Sequence, residues 1–377
     1  MNFENVRETL ERAVAAGDVP GAVALVTDRR GVIHESAAGL ASVSREAAMT
    51  PDTIFRIASM TKPITSVAVL MLREAGKLEL DDPIARHVPG FEQPPVLVSF
   101  DEATGERVLR PARRAITIHD LLTHTSGFGY WFLNREILVA SEGRIEHFSA
   151  PFLMHDPGER FSYGISTDIV GLVVEPLSGL PLGRFFEERI IGPLRMRETR
   201  YEQPSAPDRL AGLHKLQDGK WVDGPNELRG EPPRGGGALY STARDYAALM
   251  RMLLNDGRAD DGTPLLSPES VSLMTTNRIG SLWASTQRTA FRERTLDFAF
   301  LDGTQKFGYN LMIETRDRPK GRAAGSFGWA GIFNTYFWVD PRAGIGAVLL
   351  MQLSPFCAPQ CLRLVADFES AVYRALR

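Results

Sequence analysis

Residues 55–76, FRIASMTKPITSVAVLMLREAG, form the stretch that decides the fold. From Ser59 no residue forbids a helix before Gly76, which is a natural C-terminal stop. Pro63 is tolerated in the first turn, where its missing N–H would be unsatisfied anyway. A helix is therefore predicted to begin within a residue or two of Ser59. Because apolar residues cover all of its faces, it should be buried on every side.

Ser59 and Lys62 stand three residues apart at the start of this helix and so share one face. The helix N-terminus favours a developing oxyanion and disfavours a second full positive charge. Burial lowers the pKa of a lysine, by up to about 3–5 units in extreme cases. A neutral lysine beside a serine is a nucleophile with its base. S-x-x-K also occurs by chance as a helix cap followed by a solvated lysine, but the buried helix here favours catalysis.

The composition is that of an ordinary globular protein. The 377 residues are 44% hydrophobic and 24% charged, enough for one large or two medium domains. The formal net charge of −3 gives no reason to expect nucleic acid or an anionic membrane as partner. With no apolar signal core at residues 1–7 and no membrane-length apolar stretch, a soluble, cytoplasmic protein is expected. Cys357 and Cys361 alone make no disulfide framework and are expected to be reduced thiols.

Strand-like patterns lie near both ends of the chain, with helical patterns outside them. The predicted fold class is therefore α+β, with one antiparallel sheet assembled from the two termini and flanked by helices. The strands are predicted at residues 21–27, 31–38, 332–339 and 345–353, and the flanking helices at residues 3–16 and 359–376.

The middle of the chain differs, because helical segments broken by Pro and Gly follow one another there. One hairpin is predicted within it, from Val96–Phe100 and Arg107–Leu109. Ligand sites favour domain interfaces, so a cleft between this mostly helical insert and the sheet is expected to hold Ser59. The predicted domains are a discontinuous sheet domain, residues 1–80 and 216–377, and a mostly helical inserted domain, residues 81–215.

Two further segments carry groups that could take part in chemistry. Tyr163 follows a Pro157-Gly158 turn at the entrance of a helix predicted over residues 167–177, which would fix its hydroxyl in space. A phenol near a lysine and a serine could shuttle protons, although packing is the simpler interpretation on spacing alone. Trp329-Ala330-Gly331 opens a predicted strand, where a backbone N–H could complete an oxyanion hole with that of Ser59. A plain bulge glycine would explain the same triplet.

Other motifs are interpreted as structural. His124, in a segment over residues 117–127 that reads as a helix ending in a polar turn, is interpreted as a hydrogen-bonded structural histidine rather than a base. Thr242 and Asp245 are spaced like a capping box after the tight glycine run 235–237. The aromatic residues after Gly127 are either core or the lining of an acyl pocket: Phe128, Tyr130, Trp131 and Phe132.

Several catalytic signatures are missing from the sequence. It contains no G-x-S-x-G elbow, which disfavours the α/β-hydrolase route. It also lacks H-E-x-x-H, paired C-x-x-C, Walker A and G-x-G-x-x-G patterns. Metal, nucleotide and dinucleotide chemistry therefore has no support, and neither a metal nor a cofactor is predicted.

Together the motifs resemble the serine β-lactamase/penicillin-binding-protein superfamily, in its class C β-lactamase-like branch, over nearly the whole chain and in the same order. Residues 109–113 before Ile116-Thr117, and the triplet 329–331, look most like family VIII carboxylesterases and their acyltransferase relatives. The superfamily resemblance is carried by the nucleophile motif at residues 55–62, the helical-domain signature at residues 121–127, Pro157-Gly158 with Tyr163, and Gly236-Gly237 with residues 241–245.

Two departures from the superfamily pattern bear on the substrate. Tyr163-Gly164-Ile165 lacks the asparagine that contacts the substrate amide in β-lactamases, and Trp329-Ala330-Gly331 replaces the K-T-G or H-x-G triplet. A β-lactam or peptide carboxylate would lose a charged contact worth about 1.5–3 kcal/mol there, whereas a neutral ester needs none. Loss of the cation also means less depression of the Tyr163 pKa, which shifts more of the base role to Lys62.

The resemblance implies a serine carboxylesterase that hydrolyses small to medium neutral esters through an acyl-enzyme, with a small-molecule ester as its partner. It makes Ser59 the nucleophile, Lys62 with Tyr163 the base, and the backbone N–H groups of Ser59 and Ile332 the oxyanion hole. A class C-like β-lactamase or D,D-peptidase, an acyltransferase, and a non-catalytic binding protein stay as alternatives, and the oligomeric state is open. The substrate-pocket candidates are Phe128, Tyr130, Trp131, Ile165, Trp329 and Gly331.

Overall fold

The computed structural model describes residues 2–141, 152–204, 206–224 and 233–377. The α-helices in these ranges are α1 (Glu4–Ala15), α2 (Lys62–Glu74), α3 (Ile118–Leu122), α4 (Arg135–Ala140), α5 (Ser166–Gly171), α6 (Val174–Ser178), α7 (Leu182–Phe186), α8 (Ala243–Leu254), α9 (Pro268–Thr275) and α10 (Pro359–Ala375). The strands are β1 (Gly21–Asp28), β2 (Val32–Ser42), β3 (Ala47–Ala48), β4 (Phe55–Arg56), β5 (Pro95–Phe100), β6 (Arg107–Pro111), β7 (His214–Gln217), β8 (Lys220–Asp223), β9 (Tyr240–Ser241), β10 (Lys306–Phe307), β11 (Met312–Ile313), β12 (Phe327–Gly331), β13 (Thr335–Asp340), β14 (Ile345–Leu350) and β15 (Leu353–Ser354).

The largest sheet has eight antiparallel strands in the order β10-β11-β12-β13-β14-β1-β2-β3. Its centre joins the two ends of the chain, because β1 pairs with β14 from Val23 opposite Leu350 to Asp28 opposite Ile345. Pairing of β1 with β2 and of β13 with β14 extends the sheet on either side. The predicted α+β class, with an antiparallel sheet built from both termini, is therefore confirmed.

Helices cover both faces of this sheet. Phe337 and Trp338 are adjacent in β13, so their side chains point to opposite faces. The Phe337 ring packs on Tyr246 of α8 with centroids 4.8 Å apart, and the Trp338 ring packs on Phe368 of α10 at 5.2 Å. α1 in turn lies against α10 and β2. Aromatic side chains of one strand thus hold α8 on one face and α10 on the other.

α2 begins at Lys62, directly after a 3-10 turn over Ala58–Thr61, and ends before Gly76. Pro63 lies in its first turn, and every residue from Lys62 to Leu70 is buried. The helical segment begins with the 3-10 turn one residue before Ser59, within the predicted range, although α2 itself begins three residues after Ser59; the predicted burial is confirmed. α2 contacts α5 and α6, while the 3-10 turn contacts β12. The start of α2 therefore lies between helices of the central segment and the sheet.

The strand predicted over residues 332–339 is β13 alone in the structure, Thr335–Asp340. The residues before it form the turn from β12, with Asn334 in the left-handed region at φ 60°. Trp329-Ala330-Gly331 therefore closes β12 rather than opening a strand, so that part of the prediction was wrong. A left-handed asparagine is typical of such a tight turn, but an apolar run hides it.

The helix predicted over residues 167–177 is interrupted between α5 and α6. Pro176 explains the break, because proline has no N–H to donate to the Leu172 carbonyl and its ring crowds that group. The segment predicted over residues 345–353 also divides, into β14 and β15. β15 leaves the main sheet and pairs with β7 in a separate one.

The hairpin predicted in the middle of the chain is formed by β5 and β6. The remaining elements between residues 81 and 204 are mainly the short helices α3 to α7, which fits the expected helical character. The domain boundaries stay a prediction.

The structure also bears on the two cysteines and on the question of membrane-spanning helices. Cys357 and Cys361 are buried free thiols. Across the described ranges no single helix is long and apolar enough to cross a membrane; the bent pair Ser166–Ser178 and Leu182–Ile191 has that length and composition only when taken together.

Candidate active site

Ser59 lies in the 3-10 turn that leads into α2. Ala58, Met60 and Thr61 around it are buried, whereas Ser59 is partly exposed. Ala58 adopts a left-handed conformation at φ 46°, which is strained for a residue with a Cβ. Such strain is kept where the surrounding structure holds it, and it often occurs beside functional groups. The turn therefore presents one accessible hydroxyl from an otherwise buried segment.

The Lys62 amine lies against Ser59. Its Nζ is 3.1 Å from the Ser59 Oγ, 3.0 Å from the Tyr130 hydroxyl and 2.7 Å from the Gly236 carbonyl oxygen. The side chain is completely buried, and this burial lowers the pKa of Lys62 to about 7. The negative charge of Asp168 opposes the lowering, and the positive charge of Arg234 adds to it. Lys62 is therefore partly neutral at physiological pH.

The three partners of Lys62 fix the direction of its lone pair when the amine is neutral. A carbonyl oxygen can only accept, so one N–H must point at Gly236. The Tyr130 hydroxyl oxygen accepts a second N–H. The remaining position on the nitrogen faces Ser59, whose hydroxyl can then donate to it. This is the geometry of a general base poised on its nucleophile.

Tyr163 is buried beside this pair and remains a phenol. The Trp329 indole Nε1 donates to its hydroxyl oxygen at 3.1 Å. Burial raises the pKa of Tyr163 well above its ordinary value, and hydrogen bonds with Ser59 and Trp329 offset only part of that rise. The phenol therefore suits a proton relay rather than the primary base. The raised pKa of Tyr163 is consistent with the absence of a cation beside it, and the base role of Lys62 stays a prediction.

His124 holds the segment that carries Tyr163. Its carbonyl oxygen accepts the Ser162 N–H at 2.8 Å, and its Nδ1 accepts the Gly164 N–H at 3.3 Å. The Nε2 is 3.1 Å from the Asn310 Oδ1, to which it donates because Nδ1 is an acceptor. Burial holds the pKa of His124 well below its usual range, so the ring is neutral. His124 is thus the hydrogen-bonded structural histidine that was predicted.

Gly331 brings the end of β12 against the residue pair before Ser59. A Cβ at this position would overlap the Ile57 carbonyl and the Thr335 hydroxyl, so only glycine permits the approach. Ile332 follows in the turn after β12 and is half-buried. The role of the Ile332 N–H as second oxyanion donor stays a prediction. The end of β12 does lie against the segment that carries Ser59.

The pocket candidates differ in whether they contact the residues around Ser59. Tyr130 contacts Lys62, Trp329 contacts Tyr163, and Gly331 lies against the nucleophile turn. Phe128 instead packs edge-on against Phe91 at 6.2 Å, and Trp131 packs on Phe291 at 5.4 Å. Ile165 is buried directly before α5. Tyr130 is therefore a hydrogen-bond partner of Lys62 and not only a pocket candidate.

Several residues around Tyr163 were missed by the sequence analysis. The Tyr163 N–H donates to the Gln287 Oε1 at 3.1 Å, and its ring lies 5.8 Å from that of Phe298. Phe300 and Phe307 pack on Trp329 at 5.9 Å and 5.1 Å. Gln287, Phe298 and Phe300 come from irregular segments, Phe307 comes from the two-residue strand β10, and none of them belongs to a recognisable motif. Only the density of phenylalanines between residues 291 and 307 was available as a signal.

The predicted capping box at α8 is half present. The Thr242 side chain accepts the Asp245 N–H, as expected for an N-cap. The Asp245 carboxylate does not return to Thr242 but accepts the Glu198 N–H at 2.7 Å and the Thr199 hydroxyl at 2.9 Å. A complete box exists instead at α3, between Thr117 and Asp120.

We expect Tyr163→Phe to lower kcat/KM for an ester by about 10²-fold, because the relay hydroxyl is lost while Lys62 stays against Ser59. Steady-state assays with a chromogenic ester measure the loss. Tyr309→Phe is the matched control, since that hydroxyl contacts His119 and not the serine–lysine pair. Activity of Tyr163→Phe within twofold of wild type would contradict the relay role.

Among the described residues no group of three or more His, Cys, Asp or Glu side chains is arranged to hold a metal ion. An antiparallel sheet with a serine–lysine pair at the start of a buried helix is the arrangement of β-lactamase-like serine hydrolases and acyltransferases. The β-lactamase family model matches residues 6–370, and the chain belongs to this family.

The relatives include both transferases and an esterase. Protein Rv1367c of Mycobacterium tuberculosis is 36% identical over 98% of this chain and 95% of its own. Monacolin J acid methylbutanoyltransferase of Aspergillus terreus is 30% identical over 96% and 93%. Esterase EstB of Burkholderia gladioli is 27% identical over 90% and 88%. The unliganded structure of simvastatin synthase from Aspergillus terreus superposes with a TM-score of 0.83 at 28% identity, covering 100% of this chain and 99% of that one.

Proposed function

We propose that this protein is a serine carboxylesterase that hydrolyses small to medium neutral esters through an acyl-enzyme, as the family VIII esterases do. The observation that carries the proposal is the contact of 3.1 Å between the Ser59 hydroxyl and the buried Lys62 amine, whose pKa is lowered to about 7. A base with a pKa near the working pH combines the correct protonation state with sufficient basicity.

Acylation follows from this contact. The Ser59 hydroxyl gives its proton to the Lys62 Nζ as its oxygen bonds to the ester carbonyl carbon. The resulting oxyanion is held by the backbone N–H groups of Ser59 and Ile332, each worth about 2.7–4 kcal/mol in comparable sites. The carbon–oxygen bond to the alcohol then breaks, and the leaving oxygen takes the proton from Lys62 by way of Tyr163. The product is an ester of Ser59 and a free alcohol.

Deacylation repeats the steps with water in place of the serine. Lys62 accepts a proton from water as that water attacks the acyl-enzyme carbonyl. The Ser59 oxygen leaves, takes the proton back, and the carboxylic acid departs. No net proton is stored in the enzyme, so the same amine serves both halves of the cycle.

The surroundings of Tyr163 favour a neutral ester. Trp329 occupies the position at which β-lactamases carry a cation, and it offers a single neutral N–H that is already given to Tyr163. The Phe298 ring packs on Tyr163 and the Phe300 ring packs on Trp329. A carboxylate would be desolvated there without a charged partner, whereas an uncharged acyl group would not.

Acyl transfer to an alcohol is the second candidate. A relative 30% identical over 96% of this chain is named as a methylbutanoyltransferase, which supports the same acyl-enzyme with a different acceptor. In that case an alcohol takes the place of water in deacylation, and Lys62 accepts its proton instead.

A turnover panel separates these functions. p-Nitrophenyl esters of increasing acyl length and nitrocefin are compared, with and without an added alcohol acceptor, for wild type and Ser59→Ala. We expect the short to medium esters to exceed nitrocefin and the free acid to dominate the products. Faster turnover of nitrocefin would favour a β-lactamase, and a new ester as the main product would favour the transferase. No turnover of any substrate would favour a binding protein.

A further inference from the structure

The glycine run 235–237 and a buried carboxylate converge behind Lys62. The Asp168 side chain on α5 is completely buried, and its Oδ1 accepts the Gly236 N–H at 2.8 Å. The carbonyl of the same Gly236 accepts from the Lys62 Nζ at 2.7 Å. The peptide group of Gly236 thus lies between the Asp168 carboxylate and the Lys62 amine.

The sequence permits this contact only with glycine at position 236. A Cβ there would overlap the Asp168 carboxylate itself. The preceding carbonyl, that of Gly235, accepts the Thr65 hydroxyl at 2.6 Å. Hydrogen bonds therefore join the glycine segment to Thr65 and Lys62 of α2 and to Asp168 of α5. These contacts hold the Gly236 carbonyl oxygen against the Lys62 Nζ.

A buried carboxylate is costly unless it is compensated, and here the compensation is incomplete. Within the described part of the chain, the Asp168 Oδ2 is buried without a hydrogen-bond partner. The Arg234 Nη1 lies 3.8 Å from Oδ1. The negative charge of Asp168 acts on two cationic groups: the Arg234 guanidinium and the Lys62 amine, which lies on the other side of the Gly236 peptide.

We propose that Asp168 is a positioning residue that holds Lys62 on Ser59 through the Gly236 peptide, with its negative charge facing the Lys62 amine across that peptide. This inference rests on the proposed function. The opposing charge is Arg234, and the uncharged titratable groups that face Lys62 or Asp168 from the other elements are Tyr130, Tyr163, Tyr201 and His124.

Asp168→Asn tests the proposal because the amide keeps the shape and an acceptor for the Gly236 N–H but removes the charge. Activity rises with pH as Lys62 loses its proton. Without the nearby anion the ammonium form is less stable, so the acidic limb of kcat/KM should move to lower pH by about one unit. The value of kcat/KM at about pH 6, expressed as a fraction of the high-pH plateau, should then be roughly fivefold larger in the variant than in wild type.

Arg234→Gln should give the opposite shift, to higher pH, because it removes the positive charge that lowers the pKa of Lys62. If Asp168 and Arg234 had only structural roles, their variants would have a lower plateau of kcat/KM but an unchanged acidic limb. Shifts of the limb in opposite directions in the two variants would then not be observed. Asp156→Asn is the matched control: this buried carboxylate pairs with Arg110 and Arg113 and should leave the limb in place.

The pH dependence of Ser59 labelling by a fluorophosphonate gives a second readout that needs no ester turnover. If the Asp168→Asn protein does not fold, the direction of the Arg234→Gln shift decides instead. Limbs that coincide with wild type in the folded variants would overturn the inference while leaving the proposed function intact. Failure of wild type to label at Ser59 would overturn both.

Discussion

Ser59→Ala is expected to lower kcat/KM for p-nitrophenyl butyrate by about 10⁴-fold or more, because it removes the hydroxyl that is proposed to form the acyl-enzyme. The loss should appear in kcat as well as in kcat/KM, since the bond to the substrate carbon is no longer made. Steady-state assays at pH values above the pKa of Lys62 measure it. The folded state should be retained, because Ser59 is partly exposed and alanine fits the turn.

Covalent labelling makes the assignment specific to one residue. A fluorophosphonate followed by peptide mass mapping should modify Ser59 in wild type and nothing in Ser59→Ala. Ser66→Ala is the control, because Ser66 is a nearby serine in α2 whose hydroxyl contacts the Tyr309 carbonyl instead of Lys62. Modification at any other residue of wild type, or loss of labelling in a folded Ser66→Ala, would defeat the assignment.

The contact between Ser59 and Lys62 and the antiparallel sheet could be predicted because each depends on neighbours in sequence. Ser59 and Lys62 share a face by their spacing alone, and a proline and a glycine mark the helix that places them. The terminal strands carry β-branched runs that are separated by short turns. Local patterns of this kind are kept when the chain folds, so these predictions agree with the structure.

The other groups that contact Lys62 are brought to it by tertiary contacts. Tyr130 was expected only to line a pocket, and it reaches Lys62 from 68 residues further along the chain. Gly236 comes from 174 residues away, and nothing in its spacing from Asp168 or Lys62 indicates that they meet. The turn at Asn334 was hidden because apolar residues run through it, whereas the break near Pro176 could have been predicted from the proline itself. The pairing of Ser59 with Lys62 could thus be predicted from the sequence, but the contacts of Tyr130 and Gly236 that orient the Lys62 amine could not.

Replacement of Lys62 is the second large effect that we expect. Lys62→Met should lower kcat/KM by about 10³-fold, because a buried thioether fills the space but accepts no proton from Ser59. Lys62→Arg should be nearly as inactive, since a guanidinium stays protonated at every accessible pH and offers no lone pair. Lys306→Met is the control: this amine contacts the Gly280 and Leu282 carbonyls and lies outside the site.

The pH profile of wild type follows from the same amine. Burial lowers the pKa of Lys62 to about 7, and only the neutral form can accept the serine proton. The kcat/KM value should therefore be flat above this pKa and fall about tenfold for each pH unit below it. Because burial raises the pKa of Tyr163, ionisation of the phenol cannot produce this limb. Wild-type activity that stays constant through neutral pH, or a Lys62→Arg variant with normal turnover, would show that another group takes the proton from Ser59.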